Sequence, residues 1–136
     1  FETLPVGRGR RLREGRDVAL VTVGTVGNAA ARAAEHAAAQ GVEAAHYDLR
    51  WVKPLDTELL DEVGRTFRRV ITVEDGCLRG GGGEAVAAYF NARGYDAHVT
   101  CLGIGDAWVE HGTPEQLHAL CGYDEESIFR ALTQPV

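Results

Sequence analysis

The chain has 136 residues, near the commonest length for a single domain, and its 45% hydrophobic content is enough for one continuous core. A net charge of -6, with both signs mixed along the chain, disfavours a nucleic-acid partner, which needs clustered Lys and Arg, and none is expected. No run approaches the roughly 20 apolar residues of a membrane span. The first residues also lack the basic, apolar, small-residue order of a signal peptide, so a soluble, cytoplasmic protein is expected.

Residues 1–7 (FETLPVG), with Pro5 and Gly7 and no periodicity, read as a linker arriving from a preceding domain, which leaves residues 8–136 as the folded unit. Arg8 to Arg13 is a candidate edge strand. The basic cluster Arg8, Arg10, Arg11, Arg13 and Arg16 is interrupted by glycine and Glu14 and reads as a solvated or interface edge rather than an anion-binding patch. Val18 to Val23 is apolar and β-branched without polar alternation, as in a parallel strand covered on both faces. After a turn at Gly24 to Gly27, residues 28–40 form an Ala-rich helix ended by Gly41. A strand over residues 43–49 follows. Asp56 then caps a helix with Leu60, Val63 and Phe67 on one face.

Residues 69–74 form the next strand, followed by a glycine-rich turn and a helix over residues 84–93, which Gly94 ends. The strand at residues 98–102 leads into Gly103-Ile104-Gly105-Asp106 and then Trp108 to Gly112. Thr113-Pro114-Glu115-Gln116 has the order of a capping box with proline at the first helical position. Gly122 closes that helix, and Asp124 caps a last one carrying Ile128, Phe129 and Leu132. Strands alternating with helices predict an α/β fold, a mostly parallel sheet between two helical layers with right-handed crossovers.

The three cysteines, Cys77, Cys101 and Cys121, lack CxxC spacing and are expected to be core thiols. Methionine is absent, position 1 included, so the chain is expected to be part of a longer translation product.

Three constellations bear on chemistry. Gly24-Thr25-Val26-Gly27 lies between strand and helix with Asp48 about 20 residues on, like a dinucleotide-binding unit that lacks its first glycine; a plain turn is the competing reading. The run Gly80-Gly81-Gly82-Gly83 forfeits backbone entropy, either to form an anion nest or to let another domain or subunit approach closely. Glu84 in the following turn would repel a phosphate and favours close approach. Glu110-His111 offers a carboxylate beside an imidazole, but neighbours in an extended segment point apart, and His111 can serve the helix start instead. No metal-ligand spacing and no activated nucleophile is found.

Several blocks resemble a known pattern: Leu4-Pro5-Val6-Gly7-Arg8-Gly9-Arg10, Asp48-Leu49-Arg50-Trp51-Val52-Lys53-Pro54-Leu55-Asp56, Thr72-Val73-Glu74-Asp75-Gly76 and Leu102-Gly103-Ile104-Gly105-Asp106 through Glu110-His111-Gly112-Thr113. The second and third are similar to the transketolase and 2-oxoacid dehydrogenase E1 β families alike. The fourth resembles the C-terminal domain of the 1-deoxy-D-xylulose-5-phosphate synthase family, with Gly105 standing where that pattern has proline. The resemblance implies a three-layer α/β/α domain on a mixed five-stranded sheet with one antiparallel edge strand, for which Arg8 to Arg13 is the candidate.

It further implies a homodimeric enzyme that joins pyruvate to glyceraldehyde 3-phosphate with thiamine diphosphate and Mg2+, for isoprenoid, thiamine and pyridoxal precursors. That family's cofactor and substrate residues lie in two preceding domains and have no match here. No catalytic, cofactor-binding or metal residue is therefore assigned, and no cofactor is expected in this chain. The implied role is packing against those thiamine-binding domains and supporting the homodimer through Trp51, Lys53, Pro54, Gly80, Gly81, Gly82, Gly83, Trp108, Glu110 and His111. The alternatives are an E1 β-type dehydrogenase domain and an independent nucleotide-binding module.

Overall fold

A computed structural model describes residues 1–134; the last two positions of the expected 8–136 unit lie outside the described residues. Ten elements follow in chain order: β1 (Arg10–Arg13), β2 (Val18–Val23), α1 (Gly27–Ala39), β3 (Ala44–Asp48), α2 (Thr57–Thr66), β4 (Arg69–Cys77), α3 (Gly82–Arg93), β5 (His98–Ile104), α4 (Pro114–Cys121) and α5 (Glu125–Thr133). Five strands form one sheet in the order β1-β3-β2-β4-β5. β1 is antiparallel to β3, and every other pairing is parallel, as the mixed sheet with one antiparallel edge requires.

The layers follow from which residues each strand turns to each side. On one face Val18, Leu20, Ile71 and Val73 pack against α1 alanines and against Ile128 and Leu132 of α5. Small side chains at Ala30, Ala33, Ala34 and Ala37 let α1 lie close to the sheet with all four fully buried. On the other face Ala19, Val21 and Val70 meet Leu60 and Val63 of α2 and Val86 and Phe90 of α3. Both faces of β2 are thus covered, which is why its sequence lacks alternation.

Several boundaries differ from the sequence reading: β1 starts at Arg10 rather than Arg8, β5 runs on to Ile104, and two further differences bear on the rim. β4 continues through Asp75-Gly76 to Cys77, and α3 begins at Gly82, two residues before Glu84. Glycine is a poor helix former, so something outside the helix must fix its first turn. The long β4 also carries Cys77 beyond the cover of α3; Cys77 is exposed, while Cys101 and Cys121 are half-buried. The expectation of core thiols fails for Cys77 on that account.

Because β2 to β5 run parallel, the loops at residues 24–26, 49–56, 78–81 and 105–113 all emerge at one end of the sheet, its carboxyl rim. The Arg10↔Asp48 register puts the start of β1 at the same end. The chain therefore arrives where the strands finish.

Candidate functional site

The β3–α2 loop is held from both of its ends. Asp48 takes the Arg50 amide on Oδ1 at 3.1 Å and the Arg10 Nε on Oδ2 at 3.1 Å, with Arg50 itself in the left-handed region at φ +56. Asp56 is buried and double-bonded: Oδ1 accepts from Leu59 N as the α2 cap, and Oδ2 accepts from Gly9 N at 2.9 Å. Between these anchors Val52, Lys53 and Pro54 are exposed and Trp51 is half-buried. The Trp51 Nε1 has no hydrogen-bond partner among the described residues. A Cβ on Gly7 would fall 2.9 Å from Pro54 Cγ, so the arriving segment lies directly on this loop.

The basic cluster is consumed by ion pairs within the chain. Arg8 meets Glu58 at 2.6 Å, Arg10 meets Asp48 at 3.1 Å, and Arg11 meets Glu14 at 2.8 Å and Glu62 at 3.0 Å. Such exposed pairs contribute little stability singly, but here they leave few cations free for an anion. The pairing accords with an edge, solvated or interface, rather than an anion-binding patch.

The glycine run has its explanation inside the domain. Glu74, in the last half of β4, accepts from the amides of Gly82 at 3.0 Å and Gly83 at 2.7 Å, while Glu84 accepts from Gly80 N at 2.7 Å. An anion nest exists, and two carboxylates of the chain fill it. A Cβ on Gly81 would meet the Cys77 carbonyl oxygen, and one on Gly83 would lie 2.5 Å from Thr72 Oγ1, so the close approach is that of α3 to its own sheet. Gly80, at φ +70, faces open space.

The last rim loop leads to α4. Trp108 is fully exposed, and Glu110 and His111 are exposed beside it. The capping box forms as read from sequence, with Thr113 and Gln116 exchanging bonds at 3.3 and 3.1 Å. None of the α4 residues is buried. What ties this segment to the body is Asp75, whose Oδ1 accepts from the Tyr123 hydroxyl at 2.7 Å and whose Oδ2 lies 3.7 Å from His118 Nε2. The His118 and Tyr123 rings pack at 4.9 Å, and burial together with the bond to Asp75 pushes the Tyr123 hydroxyl above the usual phenol range. The sequence reading missed Glu74, Asp75 and Tyr123 as supports, since each partner is distant in the chain.

His46 lies in the interior of β3. It is buried with Nε2 at 2.9 Å from Thr22 Oγ1, and burial lowers its pKa to about 4, Arg13 adding to this and Asp48 opposing it. It stays neutral beneath the Gly27 end of α1 and does not reach the rim.

Among the described residues no group of three or more His, Cys, Asp or Glu is arranged to hold a metal ion. In the glycine nest the amides of Gly80, Gly82 and Gly83 are taken by Glu84 and Glu74, and Asp48 of the nucleotide-like unit is paired with Arg10 and Arg50. No helix of the described residues is long and apolar enough to cross a membrane.

Comparison with known proteins gives a consistent result. The 1-deoxy-D-xylulose-5-phosphate synthases of Bacteroides fragilis and Bacteroides thetaiotaomicron are each 48% identical to this chain, over 98% and 97% of its length. That of Acidovorax ebreus is 41% identical over 98%. The chain spans about a fifth of these relatives, 21% of the two Bacteroides proteins. Among solved structures, a chain described as a split-gene transketolase, inactive beta4 tetramer, superposes with a TM-score of 0.88 at 34% identity, covering 95% of this chain and 42% of that one. The family model for the transketolase C-terminal domain matches residues 7–128. With the five-stranded mixed sheet, its antiparallel edge and these relatives together, the chain belongs to the transketolase C-terminal domain family.

Proposed function

We propose that this chain is the C-terminal docking domain of a 1-deoxy-D-xylulose-5-phosphate synthase. The observation that carries the reading is 48% identity over 98% of the chain to proteins bearing that name, in a chain about a fifth of their length. The full enzyme, on this reading, is a cytoplasmic homodimer of the transferase class. It condenses pyruvate with glyceraldehyde 3-phosphate for isoprenoid, thiamine and pyridoxal precursors. Thiamine diphosphate with Mg2+ supplies the decarboxylation and two-carbon transfer, and on this reading, as the family resemblance implies, its site belongs to the preceding domains.

The part played by this domain is mechanical. Residues 1–7 link it to those domains, and the carboxyl rim meets them and the second subunit through Trp51, Lys53, Pro54, the Gly80–Gly83 loop, Trp108, Glu110 and His111. Exposure supports this surface at Lys53, Pro54, Gly80, Trp108, Glu110 and His111, while Trp51 is half-buried and Gly82 and Gly83 are buried against their own sheet. Among the described residues, every large exposed apolar side chain except Leu12 lies on the arriving segment, the rim loops or α4. Exposed apolar side chains concentrated on these segments support an interaction surface.

The test is an assay of the full-length gene product with pyruvate, glyceraldehyde 3-phosphate, thiamine diphosphate and Mg2+. Formation of 1-deoxyxylulose 5-phosphate is expected. An inert enzyme that instead copurifies with a separate α chain and a lipoyl-bearing protein would move the assignment to the dehydrogenases.

A further inference from the structure

Of the 14 lysine and arginine side chains, all but Lys53, Arg69 and Arg130 meet a carboxylate among the described residues. Lys53 is exposed on the rim. Arg69 and Arg130 instead line one open cleft of about 490 Å³ between β5 and α5, together with Thr100, Leu102, Ser127 and Ala131. Among the described residues no carboxylate lines it. Arg69 opens β4, at the end of the sheet opposite the rim, so the cleft is no part of the surface discussed above. Two like charges turned to one cleft without a counter-charge are unfavourable.

The hydrogen-bonding capacity of the cleft is also incompletely used. Arg69 donates to the carbonyl oxygens that end α5, to Leu132 at 2.9 Å, to Gln134 at 2.7 Å and to Ala131. A guanidinium carries five N–H groups, so about two remain. Arg130, exposed on α5, donates once, to Ser127 Oγ at 3.3 Å, which leaves about four N–H groups and the hydroxyl hydrogen of Ser127 itself. Thr100 adds a second hydroxyl to the lining. Burial works against the charge of Arg69, lowering its pKa, and a bound anion would offset that cost.

We infer that the cleft between β5 and α5 binds a small organic phosphate, with its phosphoryl group between Arg69 and Arg130 and its body on Leu102 and Ala131. A phosphate monoester carries nearly two negative charges and three acceptor oxygens, which match two guanidinium groups and two hydroxyls better than a single carboxylate does. The volume exceeds what a bare ion needs and falls within the range of small-molecule pockets, roughly 300–1,000 Å³. This inference goes beyond the synthase reading and does not rest on it.

Hydrogen exchange by mass spectrometry on the full-length protein tests this, with glycerol 3-phosphate and inorganic phosphate as probes at about pH 7.5, where both are mostly dianionic, and ionic strength held constant with sodium chloride. Glycerol 3-phosphate should slow exchange over residues 125–134 about threefold once it reaches roughly twice its dissociation constant, and inorganic phosphate should do so less. Arg130→Gln, at an exposed position, should abolish the slowing without changing exchange in the ligand-free protein, and Arg130→Lys should keep part of it. Arg69→Lys, read against its own ligand-free baseline, should also weaken the effect. No slowing in the wild type would overturn the inference, leaving Arg69 as a tie to the end of α5 and Arg130 as a solvated side chain. Equal slowing by sodium chloride or acetate would overturn it too, and so would slowing that survives Arg130→Gln, which would place the phosphate elsewhere in the protein.

Discussion

Glu74 and Gly83 are joined across two elements: a carboxylate oxygen on β4 accepts the amide hydrogen in the first turn of α3 at 2.7 Å. The other oxygen serves Gly82 at 3.0 Å, so a single side chain from the sheet does the work that a cap residue within the helix does elsewhere. The helix has no side-chain cap of its own at Gly81. Its negative charge also sits where the helix dipole favours an anion. Glu74→Ala should therefore lower stability by about 1–3 kcal/mol, the range for stranding partly buried donors. Urea unfolding checks this, and a variant within ~0.5 kcal/mol of wild type would show that water replaces the carboxylate without loss.

The neighbouring Gly83 is fixed by space rather than by dihedral angle. Alanine there would gain up to ~1 kcal/mol of helix propensity, but its Cβ would lie 2.5 Å from Thr72 Oγ1 and 2.9 Å from Cys101 Sγ. Overpacking of this kind costs about 1–3 kcal/mol, so Gly83→Ala should be net destabilising. Gly105→Ala is the control, since nothing lies within 4 Å of its Cβ position. It should stay within about 0.5 kcal/mol of wild type in the same measurement.

Most of the architecture is legible in the sequence because it is encoded locally. Val18 to Val23 announces a doubly covered strand by its unbroken apolar character, and Thr113, Asp56 and Asp124 mark helix starts through bonds to amides three residues ahead. The glycine run shows the limit. Its unusual composition is plain, but its cause is the proximity of Glu74, Thr72 and Cys101, which only the assembled sheet creates. The same holds for Asp75, whose partners His118 and Tyr123 lie more than 40 residues further along, and for His46, whose partner Thr22 sits on the adjacent strand. Pairings across the sheet depend on register, and a single sequence carries no direct record of it.

His46 makes stability depend on pH in a defined window. Its folded pKa is lowered to about 4 from the ordinary 6.5, so the folded state resists binding the proton that the unfolded state accepts. The contribution is fully present above pH 6.5 and is lost as pH falls from 6.5 towards 4. At 1.36 kcal/mol per unit it amounts to at most ~3 kcal/mol. His46→Gln keeps a hydrogen-bonding partner for Thr22 but does not titrate, so its stability should fall less steeply over that interval. Denaturation midpoints at several pH values for both proteins give the comparison. Parallel curves would mean that His46 is protonated without penalty in the fold.

Asp56 links the arriving chain to α2, and its two oxygens allow the roles to be separated. Oδ1 caps the helix through Leu59 N at 3.0 Å, and Oδ2 holds Gly9 N at 2.9 Å. Asp56→Ala should lose both bonds and about 1–3 kcal/mol of stability. Asp56→Ser retains a hydroxyl able to cap Leu59 but is too short to serve Gly9 at the same time. Amide exchange at Gly9 should therefore accelerate in both variants, and at Leu59 only in the alanine form. Continued protection of Gly9 in the serine protein would show that packing of Gly7 on Pro54 and the ion pair of Arg8 with Glu58 are enough to hold the segment in place.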